Sequence, residues 1–290
     1  MNVLIVTSSV SYVPENYTLF LQELTQRVPH HLKGLLLLKV PFFKMLKPFL
    51  GLLSSGCLKS SFTIFQNALG SSSNKKRETL FAQLNVPILH TKDANELWVL
   101  DWIQNQKIDL IVNARTRCIY KTPLLKAPRL GCINIHHGLL PSYRGTLCDL
   151  WALAEGRPSG YTIHMMTPKI DDGSILSQEI IPNGFRNMDS KIRIERPECT
   201  KGYMRTRESA IFGDQISKGE GYITQNTGSD YMDYLKASSV AEGKALASLI
   251  EKIAKAESLD GLPNICENPI YCKSPTWMEM LHMRKRGILS

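Results

Sequence analysis

Residues 131–145 read GCINIHHGLLPSYRG. An apolar run that turns polar at its far end is the pattern of a buried strand leaving a sheet. Side chains of a strand alternate, so Ile133 and Ile135 point one way while Asn134 and His136 point the other. The isoleucines belong to the core. Asn134 and His136 are then presented together near the strand's carboxyl end. His137 has the opposite parity and is expected to serve structure or a loop rather than to act beside Asn134.

Working outward, NVLIVTS (2–8), GLLLLKV (34–40) and IDLIVN (108–113) are apolar runs of the same kind. Unbroken runs suit parallel strands buried on both faces. Between the first two, Tyr17, Phe20, Leu21, Leu24 and Val28 recur at helical spacing. SSSNKKR (71–77) reads as a polar loop, followed by a helix around 77–84, a short strand at VPILH (86–90) and a helix around 94–105. Downstream, SGYTIHMMTP (159–168) and SILSQEII (174–181) read as two more strands joined by the turn KIDDG. This alternation predicts an α/β fold with a Rossmann-like open, mostly parallel sheet, whose ligands sit beyond the carboxyl ends of the strands. No GxGxxG follows the first strand, so the usual dinucleotide site is not supported.

The chain has 290 residues, 43% hydrophobic and 21% charged, enough for one large domain with a smaller appendage. Its net charge of +9 favours anionic partners: nucleic acid, nucleotides, folate-like carboxylates or a membrane surface. Seven cysteines, an odd number without CxxC spacing, suggest reduced thiols and a cytoplasmic location rather than a disulfide framework or a zinc knuckle. The start MNVLIVTSSV lacks the basic region and apolar length of a signal peptide. LLLLKVPFFKMLKPFLGLL (35–53) is broken by Lys39, Pro41, Lys44, Lys47 and Pro48. A membrane span needs roughly 20 mostly apolar residues, so a strand and an amphipathic helix are expected, with no stable membrane insertion.

Three segments are expected: a site-bearing domain over 1–182, a basic irregular insert or linker over 183–236, and a helix and tail packing on the first domain over 237–290. Residues 186–228 carry most of the insert's Lys and Arg. In the last segment, Ser239 and Glu242 read as a capping box, with Leu246, Leu249, Ile250 and Ile253 as the buried stripe. That helix is expected to cover the core or to form a homodimer face. Trp277 is expected to anchor the core.

In GYTIHMM (160–166), Thr162 and His164 share one strand face, and Asp171 follows seven residues after His164. An asparagine, a histidine and a carboxylate at strand ends suit attack of an amine on a one-carbon acyl group. The amide and imidazole donate to the developing oxyanion, and the carboxylate orients the imidazole and helps to remove the amine proton. A metal hydrolase using His136, His164 and Asp171 is the competing reading, but it gives Asn134 no task.

The motif GCINIHHGLLPSYRG … WALAEGRPSGYTIHMMTPKIDDGSIL resembles the N10-formyltetrahydrofolate-dependent formyltransferase family, most closely over residues 108–181. The resemblance implies the formyltransferase fold, with Asn134, His136 and Asp171 as the catalytic residues. The D-x-G-x-I-L register selects Asp171 rather than Asp172. It implies 10-formyltetrahydrofolate as co-substrate and no metal. Cys118, Ile119 and Tyr120 on one side, and Pro168, Lys169 and Ile170 on the other, are the implied folate contacts. Arg144, Thr162 and His164 are expected to touch substrate or to support the reacting groups. Arg144 either grips a phosphate or carboxylate or pins its own loop. The implied acceptor is a primary amine, on a nucleotide-linked amino sugar or on Met-tRNA. The region beyond residue 182 shows few of the strand repeats that the tRNA-modifying members carry there. A formyltetrahydrofolate hydrolase and a non-catalytic folate- or nucleotide-binding relative are the alternatives.

Overall fold

The computed structural model describes residues 1–9, 16–58, 61–62, 64–65, 72–181, 231–256, 259, 261–265 and 269–289. The basic stretch 186–228 lies outside the described residues. Seven strands form one sheet: β1 (Val3–Ser8), β2 (Leu32–Leu38), β3 (Ile88–Thr91), β4 (Leu110–Ala114), β5 (Cys132–His136), β7 (Gly160–Met165) and β8 (Ile175–Ile180), in the order β3-β2-β1-β4-β5-β7-β8. The first five are parallel; β7 runs antiparallel to β5, and β8 antiparallel to β7. The expected open, mostly parallel α/β sheet is therefore present.

Both faces of the sheet are covered, which is why its central strands are apolar throughout. Val3 and Ile5 face one core with Phe20, Leu21 and Leu24 of helix α1 (Asn16–Arg27). Leu4 and Val6 face the other with Val99 and Ile103 of helix α4 (Leu97–Asn105). The amphipathic helix expected after β2 is α2 (Phe42–Ser54). Among the described residues no helix is long and apolar enough to cross a membrane.

Three local expectations are corrected. The stretch SSSNKKR is not a loop, since helix α3 runs over Ser72–Ala82. Its buried Arg77 donates from Nη1 to the Ser8 carbonyl at 2.8 Å and from Nη2 to the Ser9 carbonyl at 3.0 Å, so tertiary bonding at the end of β1 outweighs the polar composition. Ser239 and Glu242 do not cap a helix. They lie inside the long helix α7 (Tyr231–Ala256), where Ser239 Oγ donates to the Leu235 carbonyl and Glu242 takes an ion pair with Arg115. Trp277 is 44% exposed at the start of helix α8 (Trp277–Lys285), behind a genuine capping box of Thr276 and Glu279. Met283 and Ile288 take the anchoring role instead, both buried in the main core.

Helix α7 packs along α1 and against β7 and β8. Gly243 permits that approach: a Cβ there would sit 2.7 Å from Glu23 Cβ and 2.9 Å from the Phe20 carbonyl. Two short helices complete the frame of the site, α5 (Thr122–Lys126) and α6 (Cys148–Ala154). A small second sheet pairs β6 (Tyr143–Gly145) in parallel with β9 (Ile270–Cys272), bringing the C-terminal tail to the loop after β5. Gly145 has φ +103, and a Cβ would meet the Cys272 carbonyl oxygen at 2.3 Å, so only glycine fits.

Candidate active site

The β5–β7 register sets Asn134 opposite His164 and His136 opposite Thr162. Residues directly opposed on neighbouring strands point to the same face, so all four project together. In the parallel β4–β5 pair, Asn113 is aligned with Asn134 and joins them.

A chain of hydrogen bonds fixes the Asn134 amide. Thr116 Oγ1 donates to Asn113 Oδ1 at 2.6 Å, and Asn113 Nδ2 donates to Asn134 Oδ1 at 3.0 Å. Asn134 Nδ2 lies 3.1 Å from His164 Nε2. His164 Nδ1 lies 2.7 Å from the Met165 carbonyl oxygen, which can only accept, so the proton is on Nδ1 and the Nε2 lone pair receives the asparagine. Burial, then the charge of His136, lowers the His164 pKa to about 4, against the opposing pull of Asp171. His164 is thus neutral at ordinary pH, in the tautomer that Asn134 requires. One Asn134 N–H is committed to it and the second is left for a substrate oxygen.

His136 is held the other way round. Its Nε2 donates to the Tyr143 carbonyl at 2.8 Å, and its Nδ1 faces Asp171 Oδ1 at 3.5 Å. The same carboxylate oxygen lies 3.8 Å from His164 Nε2. Asp171 Oδ1 therefore sits between the two imidazoles, in a site where all three residues are buried. A bare Nδ1 lone pair facing a carboxylate is repulsive, so the geometry calls for a proton between His136 and Asp171. For a metal, the His164 Nε2 lone pair is already taken by Asn134 and His136 Nε2 by Tyr143.

Asp171 reaches this position through an unusual backbone. Its φ is +52, the left-handed region that Asp and Asn tolerate better than most side chains. Asp171 Oδ2 accepts from the Gly145 N–H at 3.0 Å. Asn264 Nδ2 donates to the carbonyls of Asp171 and Gly173, at 2.9 and 3.0 Å. Arg144 Nη1 donates to Asp172 at 3.0 Å, and its Nη2 to the Asn264 carbonyl at 3.1 Å. Of the two roles open to Arg144, these bonds are those of loop pinning. The neighbouring aspartates divide as well: Asp171 faces the histidines, and Asp172 faces Arg144. Thr162 Oγ1 donates to the Gly138 carbonyl and receives the Leu140 N–H, supporting the loop after β5.

His137 lies apart, as its parity requires. Its Nδ1 donates to Asp149 at 3.0 Å, and its Nε2 lies 3.4 Å from Glu242. Tyr231 donates to the same Asp149, and Arg115 pairs with Glu242. Burial pushes the Glu242 carboxyl up, but Arg115 and His137 together hold it down to about 2. This buried cluster ties α7 to the residues that follow β4 and β5.

The implied folate contacts fall on two loops. Ile119 and Ile170 are exposed at 68% and 69%, apolar groups presented to solvent. Tyr120 is buried, with its hydroxyl unpartnered. Burial pushes the Cys118 thiol up to about 11, so it stays protonated. Pro168 and Lys169 are exposed. Cys148 is fully buried. Sequence reasoning missed Asn113, Asp149 and Asn264. Asn113 had a signal, since it ends the run IDLIVN just as Asn134 sits near the end of its own. Asn264 had none.

Residues 66–195 match the model of the formyl transferase family. A methionyl-tRNA formyltransferase of Staphylococcus epidermidis is 30% identical over 173 residues, covering 59% of this chain and 49% of that protein. The bifunctional polymyxin resistance protein ArnA of Wigglesworthia glossinidia brevipalpis is 43% identical over 94 residues, covering 32% of this chain and 14% of that protein. The chain thus spans half or less of the length of these curated relatives. Among solved structures, a phosphoribosylglycinamide formyltransferase from Anaplasma phagocytophilum has a TM-score of 0.53 at 13% identity, covering 93% of this chain and 97% of that one. A 4-N formyltransferase from Francisella tularensis has a TM-score of 0.52 at 15% identity, covering 98% and 87%. At such identities the structural likeness speaks for the fold alone. Residues 66–195, with the motif they carry and the sheet that presents it, are thus similar to the formyl transferase family.

Proposed function

We propose that the chain transfers a formyl group from 10-formyltetrahydrofolate to a primary amine. The observation that carries this reading is the convergence of His136 and His164 on one oxygen of Asp171, with Asn134 bonded to His164. In the proposed reaction the amine nitrogen attacks the formyl carbon, and the carbonyl electrons move onto oxygen. The free Asn134 N–H holds that oxyanion, and a donor so placed is worth roughly 10²–10³ in rate. The amine proton passes to the Asp171 carboxylate, since both His136 nitrogens are engaged, and from there to N10. The tetrahedral intermediate collapses with the electrons returning to the carbonyl, and N10 of tetrahydrofolate leaves with a proton. His164 stays neutral and keeps the asparagine amide oriented.

The exposed Ile119 and Ile170 offer apolar surface suited to the flat faces of a pterin ring. The named relatives act on different amines, so the acceptor is proposed only as a class: a nucleotide-linked amino sugar or the amino group of Met-tRNA. The test follows 10-formyltetrahydrofolate consumption with initiator Met-tRNA, with nucleotide-linked amino sugars, with glycinamide ribonucleotide, and with no acceptor. Acceptor-dependent consumption supports transfer. Equal consumption without an acceptor makes the chain a hydrolase, and no consumption in any arm makes it a non-catalytic relative.

A further inference from the structure

A second group of titratable side chains lies at the opposite end of the sheet. The short 3-10 turn Pro29–His31 immediately precedes β2, and Glu251 lies on α7. His30 Nε2 is 3.3 Å from Glu251 Oε1, and His31 Nε2 is 3.8 Å from the same oxygen. His31 is buried at 8% exposure, and its Nε2 is a buried atom without a hydrogen-bond partner. Its other nitrogen, Nδ1, lies 3.1 Å from the Met1 carbonyl oxygen. A carbonyl only accepts, so the proton is on Nδ1 and the bare lone pair of Nε2 points at the carboxylate. Two electron-rich atoms held face to face need a cation between them.

We propose that His30, His31 and Glu251 form a site for a late first-row divalent cation, zinc being the best fit. Three features argue for a metal over a simple ion pair. The donor set is two imidazoles and one carboxylate, which suits zinc and leaves a fourth position for water. Ligands about 2.0–2.2 Å from a tetrahedral zinc lie about 3.4 Å from one another, close to the 3.3 and 3.8 Å found here. The Nδ1–H to backbone-carbonyl bond of His31 is the outer contact that typically orients a metal-binding histidine. Of the nearby cations, Arg27 is engaged by Glu23 at 2.8 Å.

The location gives the site a role. The turn and Met1 lie at the amino ends of β1 and β2, whereas the Asn134–His136 site lies toward the carboxyl end of the parallel β5. A bound ion would clip α7, which follows the 182–230 stretch, to the strand edge at the start of the chain. The site is independent of the formyl-transfer reading.

The test uses the untagged full chain, washed with chelator and kept reduced. Zinc chloride is titrated by calorimetry into the wild type and into His30→Gln and Glu251→Gln. Both substitutions fall on side chains exposed enough to spare the fold, 62% and 38% respectively. One saturable zinc equivalent is expected, weakened in each variant by about tenfold or more, the lower bound set by what loss of an outer contact alone costs. Cobalt bound in place of zinc is expected to lack a thiolate charge-transfer band. No saturable binding, undiminished affinity in either variant, or a thiolate band would overturn the proposal.

Discussion

Asn264 holds Asp171 by its backbone, not by its carboxylate: the amide Nδ2 donates to the Asp171 carbonyl oxygen at 2.9 Å. A second bond to Gly173 at 3.0 Å completes a clamp around the left-handed residue, and Arg144 braces Asn264 in turn. The clamp fixes where Oδ1 stands between the two imidazoles. Asn264→Ala is expected to lower formyl-transfer kcat by about tenfold to a hundredfold, the scale of a displacement of about 1 Å. KM for folate should change little. Steady-state kinetics on a variant with a wild-type circular dichroism spectrum is the measurement. Unchanged kcat would mean that the loop holds itself.

The two aspartates of the KIDDG turn make a paired prediction. Asn tolerates positive φ, so Asp171→Asn removes the charge without disturbing the backbone. A positioned base contributes about 10²–10⁴, and a loss of that size is expected. Asp172 has a side chain 36% exposed and pairs with Arg144, so Asp172→Asn is expected to stay within a few-fold of wild type. Turnover of both variants under saturating folate decides the matter, and the reverse order would reassign the carboxylate.

The polar face of the site was legible in the sequence because strand parity is a local property. Asn134, His136, Thr162 and His164 follow from counting by twos, and the β5–β7 register brings the two pairs together. What lay beyond the sequence was bonding between distant segments. SSSNKKR looks like a loop until Arg77 is seen bonded to the end of β1. Ser239 and Glu242 imitate a cap because a buried carboxylate answers an arginine more than a hundred residues away. Asn264 reaches the site from a tail with no periodic pattern, and no count of residues places it beside Asp171.

The Arg115–Glu242 pair is buried on both sides, with side chains 5% and 0% exposed. Removing one partner of such a pair typically costs about 3–5 kcal/mol, because the other charge is stranded. Glu242→Gln should therefore destabilise the chain by that order in urea unfolding. The acid dependence should change too. Held at about 2 against an ordinary 4.5, Glu242 contributes stability in full above about pH 4.5 and loses it as the pH falls towards 2. The variant should show a shallower loss of stability across that window. Equal slopes would mean that the carboxylate gains nothing from Arg115 and His137.

His164 titrates in a higher window by the opposite chemistry. It is a base whose folded form resists protonation, because burial and the neighbouring His136 lower its pKa to about 4 from 6.5. Between those values the unfolded chain binds a proton that the folded chain refuses, so stability rises with pH there. The contribution is complete above about pH 6.5 and is lost as the pH falls to 4. His164→Gln keeps an acceptor for Asn134 but cannot titrate. Thermal unfolding from pH 7 to pH 4 should therefore fall more steeply for the wild type than for His164→Gln. At pH 7 the variant should retain much of its formyl transfer, since the histidine acts there as a neutral acceptor. A variant with the wild-type pH slope would show that His164 protonates in the folded protein as readily as in the unfolded chain, against the lowered value assigned to it.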